Sequence, residues 1–155
     1  MAIEIERKFL VSGTGWRVAA PRHYRQGYLC HDPARTVRVR LAGDDAFLTI
    51  KGETHGASRA EFEYAIPSPD ARELLGLCAG ALIEKRRHVS EHDGLLWEVD
   101  EFLGDNAGLI VAEVELGTEG QALTLPDWVG AEVTDDPRYY NSNLSRHPYA
   151  AWRDG

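Results

Sequence analysis

The stretch Glu4-Ile5-Glu6-Arg7-Lys8-Phe9-Leu10 alternates charged and apolar positions, with Arg7 as the one break. In an extended strand, residues two apart share a face and lie about 7 Å from each other. Glu4, Glu6 and Lys8 therefore form a row on one side, and Ile5 and Phe9 stand on the other. This alternation predicts a strand over residues 2–11, ended by Ser12-Gly13. The same spacing of charges recurs at Arg38/Arg40, Lys51/Glu53, Glu61/Glu63, Lys85/Arg87, Glu98/Asp100 and Glu113/Glu115. Val39, Phe62, Val99 and Val114 sit between the members of four of these pairs. Charge on one face and apolar bulk on the other, repeated along the chain, describes a sheet with one ionic surface.

Outward from that segment, strands are expected at residues 25–30, 36–41, 46–51, 60–66, 81–91, 95–102 and 109–116. Turns fall at His31-Asp32-Pro33, Gly43-Asp44-Asp45 and Asp93-Gly94, the last being a strong hairpin signal. Ser68-Pro69-Asp70 opens a helix carrying Leu74, Leu75 and Leu77, which Gly80 would end. Thr118 with Gln121 resembles a capping box for a short helix halted by Pro126, and Asp136-Pro137 caps a last helix through Leu144. Short, consecutive strands favour antiparallel pairing. The fold class is α+β, mostly β, in a single domain over residues 1–155.

The chain has 155 residues, 43% hydrophobic and 27% charged, with a net charge of −8. That composition buries a core and disfavours a non-specific binder of nucleic acid or anionic membrane. Its two cysteines, Cys30 and Cys78, form no zinc or redox spacing, and the charged N-terminus lacks a secretory apolar run. A cytoplasmic protein with reduced thiols is expected. The six histidines show no ligand spacing and are assigned to the surface. Trp16, Trp97, Trp128 and Trp152 are assigned to the exterior or ends of the sheet, and Glu84 and Arg86 to its outer face.

A charged sheet face commonly turns to water. Like-charge doublets gain nothing there and repel one another. They make sense where dications neutralise the acids and a polyanion neutralises the bases. The intervening Ile5, Phe62, Tyr64, Trp97, Val111 and Val114 are large and need cover, which helices could supply. Eight tilted antiparallel strands close into a barrel, so the doublets are placed inside. That inward set holds eight acids and six bases (Lys8, Arg38, Arg40, Lys51, Lys85, Arg87), a deficit of positive charge. One or two Mg2+ or Mn2+ ions, hard cations suited to oxygen ligands, would offset it.

With these pairs in this order, the chain resembles the CYTH, or triphosphate tunnel metalloenzyme, family. Glu4-x-Glu6-x-Lys8 matches that family's signature. Val37-Arg38-Val39-Arg40, Thr49-Ile50-Lys51, Glu61-Phe62-Glu63, Glu84-Lys85-Arg86-Arg87, Trp97-Glu98-Val99-Asp100 and Ala112-Glu113-Val114-Glu115 follow in its order. Gln26-Gly27-Tyr28-Leu29 and Val133-Thr134 with Arg138-Tyr139 and Asn141 resemble its short bacterial members.

The resemblance implies an eight-stranded antiparallel closed barrel, a tunnel with peripheral helices, plugged at one end by a C-terminal helix at Pro137–Leu144. It implies metal ligation by Glu4, Glu6, Glu113 and Glu115. Lys8, Arg38, Arg40, Lys51, Lys85 and Arg87 would bind phosphate, and Lys85 and Tyr28 would help activate water. Glu61, Glu63, Glu98 and Asp100 would orient the cations or bind metal through water.

The implied activity is metal-dependent hydrolysis of short polyphosphates, foremost tripolyphosphate to pyrophosphate and phosphate. Adenylate cyclase and thiamine triphosphatase activities occur in the same fold. The cyclase signature carries His-Phe ahead of the acidic motif, for which a motif at Glu4 leaves no room. Animal-type thiamine triphosphatases are longer. A non-catalytic polyphosphate- or nucleotide-binding module would need mainly the cations. The expected partner is a small-molecule triphosphate or polyphosphate, with no nucleic acid and no membrane, and homodimerisation stays open.

Overall fold

The structure, a computed structural model, describes residues 3–153. The expected strand start at Ala2 and the domain limits at 1 and 155 lie outside them. The strands are β1 (Ile3–Val11), β2 (Arg22–Cys30), β3 (Arg35–Ala42), β4 (Asp45–Gly52), β5 (Ser58–Ala65), β6 (Ala79–His92), β7 (Leu95–Phe102), β8 (Ile110–Glu115) and β9 (Val129–Glu132). Two α-helices, α1 (Ser68–Leu75) and α2 (Asn141–Leu144), accompany them. Asp93 and Gly94 both take positive φ, 52° and 78°, as a two-residue hairpin turn with the matching twist requires.

Every pairing is antiparallel, in the order β5-β4-β3-β2-β6-β7-β8-β1, and β1 returns to β5 through Ile3↔Ala60, Glu4↔Arg59 and Ile5↔Ser58. The fold is a closed eight-stranded barrel. Because β5 leaves β1 after its first residues, the freed edge near Phe9 and Val11 is taken by β9, a strand absent from the sequence expectations. Four residues of weak alternation, Val129-Gly130-Ala131-Glu132, carry too little periodicity to announce it. Outside the barrel, Arg7 locks β9 in place with two hydrogen bonds to Glu132, at 2.8 and 2.7 Å.

Two apolar groups cover the outside. Phe9, Trp97, Val99, Ala112 and Val114 lie beneath Trp16 and Leu116, with Trp128 edge-on to Trp97 at 5.6 Å. On the far side, Ala71 and Leu75 of α1 pack on Val39, Leu41 and Ala46. Fully burying one such large side chain contributes about 1.5–3 kcal/mol. A third group fills the barrel's interior at one end: Leu144 of α2 inserts among Tyr28, Ile83, Phe102, Leu109 and Val111. Val111 thus points inward with Glu113, not outward as its place in the sequence pattern suggested.

Other expectations are also corrected. Helices cover only the α1 side, whereas loops carrying Trp16 and Trp128 cover another. Phe62 and Tyr64 remain 44% and 56% exposed. No helix forms after Thr118 because the Gln121 side chain accepts from the Gly117 amide at 2.7 Å, closing a turn that leads into the covering loop. The first helix ends at Leu75, and Gly80 serves β6 instead. There it has φ +76°, and a Cβ would lie 2.8 Å from the Ser145 carbonyl, so glycine lets the plug segment approach. The last helix breaks into a single turn at Pro137–Tyr139 and α2, with Tyr140 extended between them. His88 is 3% exposed, its ring against Trp16 at 4.8 Å, so one histidine leaves the surface assigned to it. Glu53, the outer member of the Lys51/Glu53 pair, lies past the end of β4.

The plug is tied to the barrel through His31 Nε2, which lies 2.6 Å from Ser145 Oγ. Burial, then the charge of Arg146, pushes the His31 ring below its ordinary value. A histidine held neutral in the fold contributes fully above its unfolded value near 6.5, and that contribution is lost as pH falls through it. Hydrogen exchange over residues 141–147, corrected for intrinsic rates, should therefore quicken relative to the barrel strands between pH 7.5 and 5.5. His31→Gln should remove that pH dependence.

Candidate active site

Alternation within each strand decides which side chains enter the barrel. Glu4, Glu6, Arg38, Arg40, Lys51, Arg87 and Glu113 line its middle. Toward one mouth the wall adds Glu61, Glu63, Glu98 and Glu115, with Arg22, Tyr24 and Phe47. Toward the plug it adds Lys8, Tyr28, Thr36, Arg59, Lys85, Tyr140 and Asn141. Every site residue named from the sequence except Asp100 therefore lines one tunnel. Asp100, wholly buried, lies behind the wall and holds Lys85 and Arg87 upright.

That support is built from three hydrogen-bonded contacts. Lys85 Nζ donates to Asp100 Oδ2 at 2.6 Å, and Arg87 grips both Asp100 oxygens through Nε and Nη2 at 2.8 and 2.9 Å. Burial alone would raise the Asp100 carboxyl, but Arg87 and then Lys85 hold it at about 2. Burial lowers the Lys85 ammonium, and the neighbouring Arg87 and Arg40 charges add to that, leaving it at about 7 despite Asp100. Arg40 is pushed down in the same way, first by burial, then by Arg38 and Arg87. Arg87 goes the other way: burial opposes its charge, but Asp100, then Glu98 and Glu113, hold it well above its ordinary value, so the shortage of negative charge falls on Lys85 and Arg40.

The opposite shortage marks the other half. Glu6 is pushed up by burial and by Glu113, Glu98 by burial with Glu113 and Asp100 contributing, and Glu115 by burial, Glu4, Glu6 and Glu98. These carboxylates repel one another with too few cations between them. Glu113 escapes: burial opposes its charge, but Lys8 and Arg87 hold it well below the ordinary range. Lys8 Nζ bridges Glu6 at 2.9 Å and Glu113 at 2.8 Å, and Lys51 Nζ holds Glu4 at 2.8 Å. Among the described residues, no three acidic, histidine or cysteine side chains stand together as a ready cation site. The lysines occupy the oxygens that an ion would need. An all-oxygen set whose members raise one another's pKa nonetheless fits a hard dication, provided the lysines turn to another anion.

The sequence reading passed over three residues. Tyr24 lies between two guanidinium groups, its ring 4.7 Å from Arg40 and 4.8 Å from Arg87. Gln26, fully buried, accepts from Arg40 Nε at 2.8 Å and donates to Asn141 Oδ1 at 3.1 Å, an oxygen that also accepts from Lys85 Nζ at 3.1 Å. Arg59 shares the inner face of β5 with Glu61 and Glu63. The signal for each was present, since all three stand two residues from an inward position. A search restricted to charge doublets could not register a lone arginine or a neutral amide. Asn141→Ala leaves the Gln26 amide and part of the Lys85 ammonium unpaired, so turnover should fall about tenfold, measured as phosphate released.

A closed barrel with an ionic lumen, acid-rich at one mouth and cation-rich at the plugged end, defines a tunnel protein for a charged small molecule. The chain belongs to the CYTH domain family, whose model matches residues 2–145. An inorganic triphosphatase of Acetivibrio thermocellus is 49% identical over 156 residues, covering 99% of this chain and all of the relative. An inorganic triphosphatase of Nitrosomonas europaea is 40% identical over 149 residues, covering 92% of this chain and 96% of the relative. The crystal structure of the inorganic triphosphatase NE1496 superposes with a TM-score of 0.67 at 36% identity, over 91% of this chain and 96% of that one. Triphosphatases of this family depend on a metal ion.

Proposed function

We propose that the protein is a divalent-metal-dependent triphosphatase that cleaves a terminal phosphoanhydride of inorganic tripolyphosphate to give pyrophosphate and phosphate. The observation that carries this reading is the sorted tunnel: Glu6, Glu98 and Glu115 are pushed up by burial and by neighbouring carboxylates, beside Lys85 and Arg40, which burial and neighbouring guanidinium charges push down. The first group lacks a dication and the second a polyanion, and a metal–triphosphate supplies both.

Lys8, Arg38, Arg40, Lys51, Lys85 and Arg87 grip the phosphate oxygens, the arginines through their planar forks and the lysines as movable point charges. When Lys8 and Lys51 turn to phosphate, Glu4, Glu6 and Glu113 are released to join Glu115 as metal ligands. A divalent ion held there would neutralise developing charge and make water a better nucleophile. Glu61, Glu63 and Glu98 set the positions of the neighbouring cations, and Asp100 fixes Lys85 and Arg87. With its ammonium lowered to about 7, Lys85 is suited to accept a proton from the attacking water, and Tyr28 lines the same end. The closed wall limits bulk water, which strengthens each of these contacts.

The substrate is a small molecule; the net charge of −8 disfavours nucleic acid and anionic membrane surfaces. No described helix is long and apolar enough to cross a membrane. Cys30 and Cys78 are both free thiols, in keeping with a cytoplasmic site of action.

The deciding experiment compares phosphate release from tripolyphosphate, ATP, thiamine triphosphate and pyrophosphate, each with Mg2+ and with Mn2+. Tripolyphosphate should be preferred and pyrophosphate inert. Cyclic AMP from ATP would establish the cyclase reading instead, and binding without turnover would reduce the protein to a polyphosphate-binding module.

A further inference from the structure

Arg59 stands opposite Glu4 in the β1–β5 register, but Glu4 is already held by Lys51. Among the described residues Arg59 makes no ion pair. Its only hydrogen bond is a long contact of 3.5 Å from Nη2 to Thr36 Oγ1, and its buried Nε–H has no acceptor. Arg38, on β3 beyond β4, shares one feature with it: its buried Nε–H is also unpartnered, although Nη2 reaches Thr49 Oγ1 at 3.2 Å and Glu63 at 3.6 Å. Arg59 lines the cavity at the plugged end beside Lys8, and Arg38 borders it from the middle of the tunnel. At the opposite mouth stand Glu98, held by Arg87 at 3.0 Å, and Glu115, which makes no ion pair among the described residues. Buried guanidinium donors are ordinarily satisfied, and an orphan on a tunnel wall points to an acceptor that arrives with a ligand.

We propose that Arg59, together with Arg38 and Thr36, forms a terminal subsite that takes the phosphoryl group farthest from the carboxylate-rich mouth, and that this subsite separates a triphosphate from a pyrophosphate. The inference rests on the triphosphatase reading for its substrate class. The register supplies the reason for the position. Arg40, Lys51 and Arg87 serve the middle of the tunnel, and Arg59, on the strand that closes the barrel between β4 and β1, adds a cation at its plugged end. The Nε and Nη groups of one guanidinium form a fork matched to two oxygens of a single phosphate. A two-phosphate ion seated at the carboxylate end with its cation leaves this fork empty.

The test uses calorimetric binding of a methylene-bridged triphosphate analogue and of pyrophosphate, both with Mg2+, to the wild-type chain, Arg59→Ala and Arg59→Lys. Arg59→Ala should weaken the triphosphate analogue about tenfold or more while pyrophosphate affinity stays within about twofold. Arg59→Lys should recover part of the loss, since it restores charge without the fork. Circular dichroism melting of the variants guards against misfolding, and Arg59→Lys, which preserves length and charge, keeps the comparison open if the alanine variant is unstable. Unchanged affinity for the triphosphate analogue overturns the subsite. Equal losses for both ligands also overturn it, since they would mark a general field effect. Phosphate release by the wild-type chain is measured in parallel. If it fails on tripolyphosphate, the triphosphatase reading falls while the binding comparison still decides the role of Arg59.

Discussion

Asp100→Asn should destabilise the protein by about 3–5 kcal/mol and abolish phosphate release. The size follows from what the carboxylate balances. Lys85 and Arg87 are 1% and 7% exposed in their side chains, and Asp100 lies 2.6 Å from the first and 2.8 Å from the second. Breaking a buried pair from one side leaves uncompensated charge, which costs far more than the intact pair contributes. Arg87 would keep only Glu98, 3.0 Å away and half-open to water, and Glu113 at 3.8 Å.

The pH dependence carries the same sign. A carboxyl held at about 2 in the fold adds stability above its unfolded value near 3.9, and loses it as pH falls through 2. Wild type should therefore lose roughly 2–3 kcal/mol across that acid window that the asparagine variant has already lost at neutral pH. Urea unfolding at pH 7 measures the first, and a series carried down to about pH 2 measures the second, about half of which is lost by pH 3. A loss below about 1 kcal/mol at pH 7 would mean that water, not Asp100, satisfies the two cations.

Glu115→Gln should have the opposite profile, costing activity without costing stability. Among the described residues Glu115 makes no ion pair, and its carboxyl is raised by burial and by Glu4, Glu6 and Glu98. Removing its charge relieves repulsion in the metal-free protein, so the melting temperature should hold or rise. If Glu115 is a metal ligand, as proposed, its loss should lower kcat/KM about a hundredfold or more. A chelator should silence the wild-type chain to a similar degree, and excess Mg2+ should restore it. Added Mg2+ should also raise the wild-type melting temperature by binding only the fold, with a smaller rise for Glu115→Gln. Full activity in this variant would remove Glu115 from the metal set. The trade between stability and activity is what a site built from mutually repelling carboxylates entails.

Much of the barrel was legible because its strands are long and strictly alternating. From β1 through β8, each expected strand formed with ends shifted by only a few residues. The plug was legible as a helix but not in its broken form, two short turns at Pro137–Tyr139 and Asn141–Leu144, and β9 and the loop after Thr118 were not legible. Two of them take their shape from a distant partner, the plug from the His31 ring at Ser145 and β9 from the free edge of β1 at Val129, while the loop is closed locally by the Gln121 amide at Gly117. Local propensity carries little information when four residues are held by something more than a hundred positions away. Gln26 and Tyr24 were missed for another reason. Neither bears a formal charge, and only the packed lumen shows that one joins Arg40 to Asn141 and the other lies between two arginines.

Period-two alternation by itself determined that Glu4, Glu6, Lys8 and their counterparts share one face, because a pleated backbone leaves successive side chains no other arrangement. Which acid meets which base was settled only by closure of the barrel. Lys8 bridges Glu6, two residues away, and Glu113, 105 residues away, while Lys51 reaches Glu4 across the last seam. Such pairings depend on strand register and on the inward tilt of the side chains, quantities set by the whole sheet at once. The unpartnered donor of Arg59 has the same origin: its neighbour across the seam had already been taken by a lysine from another strand.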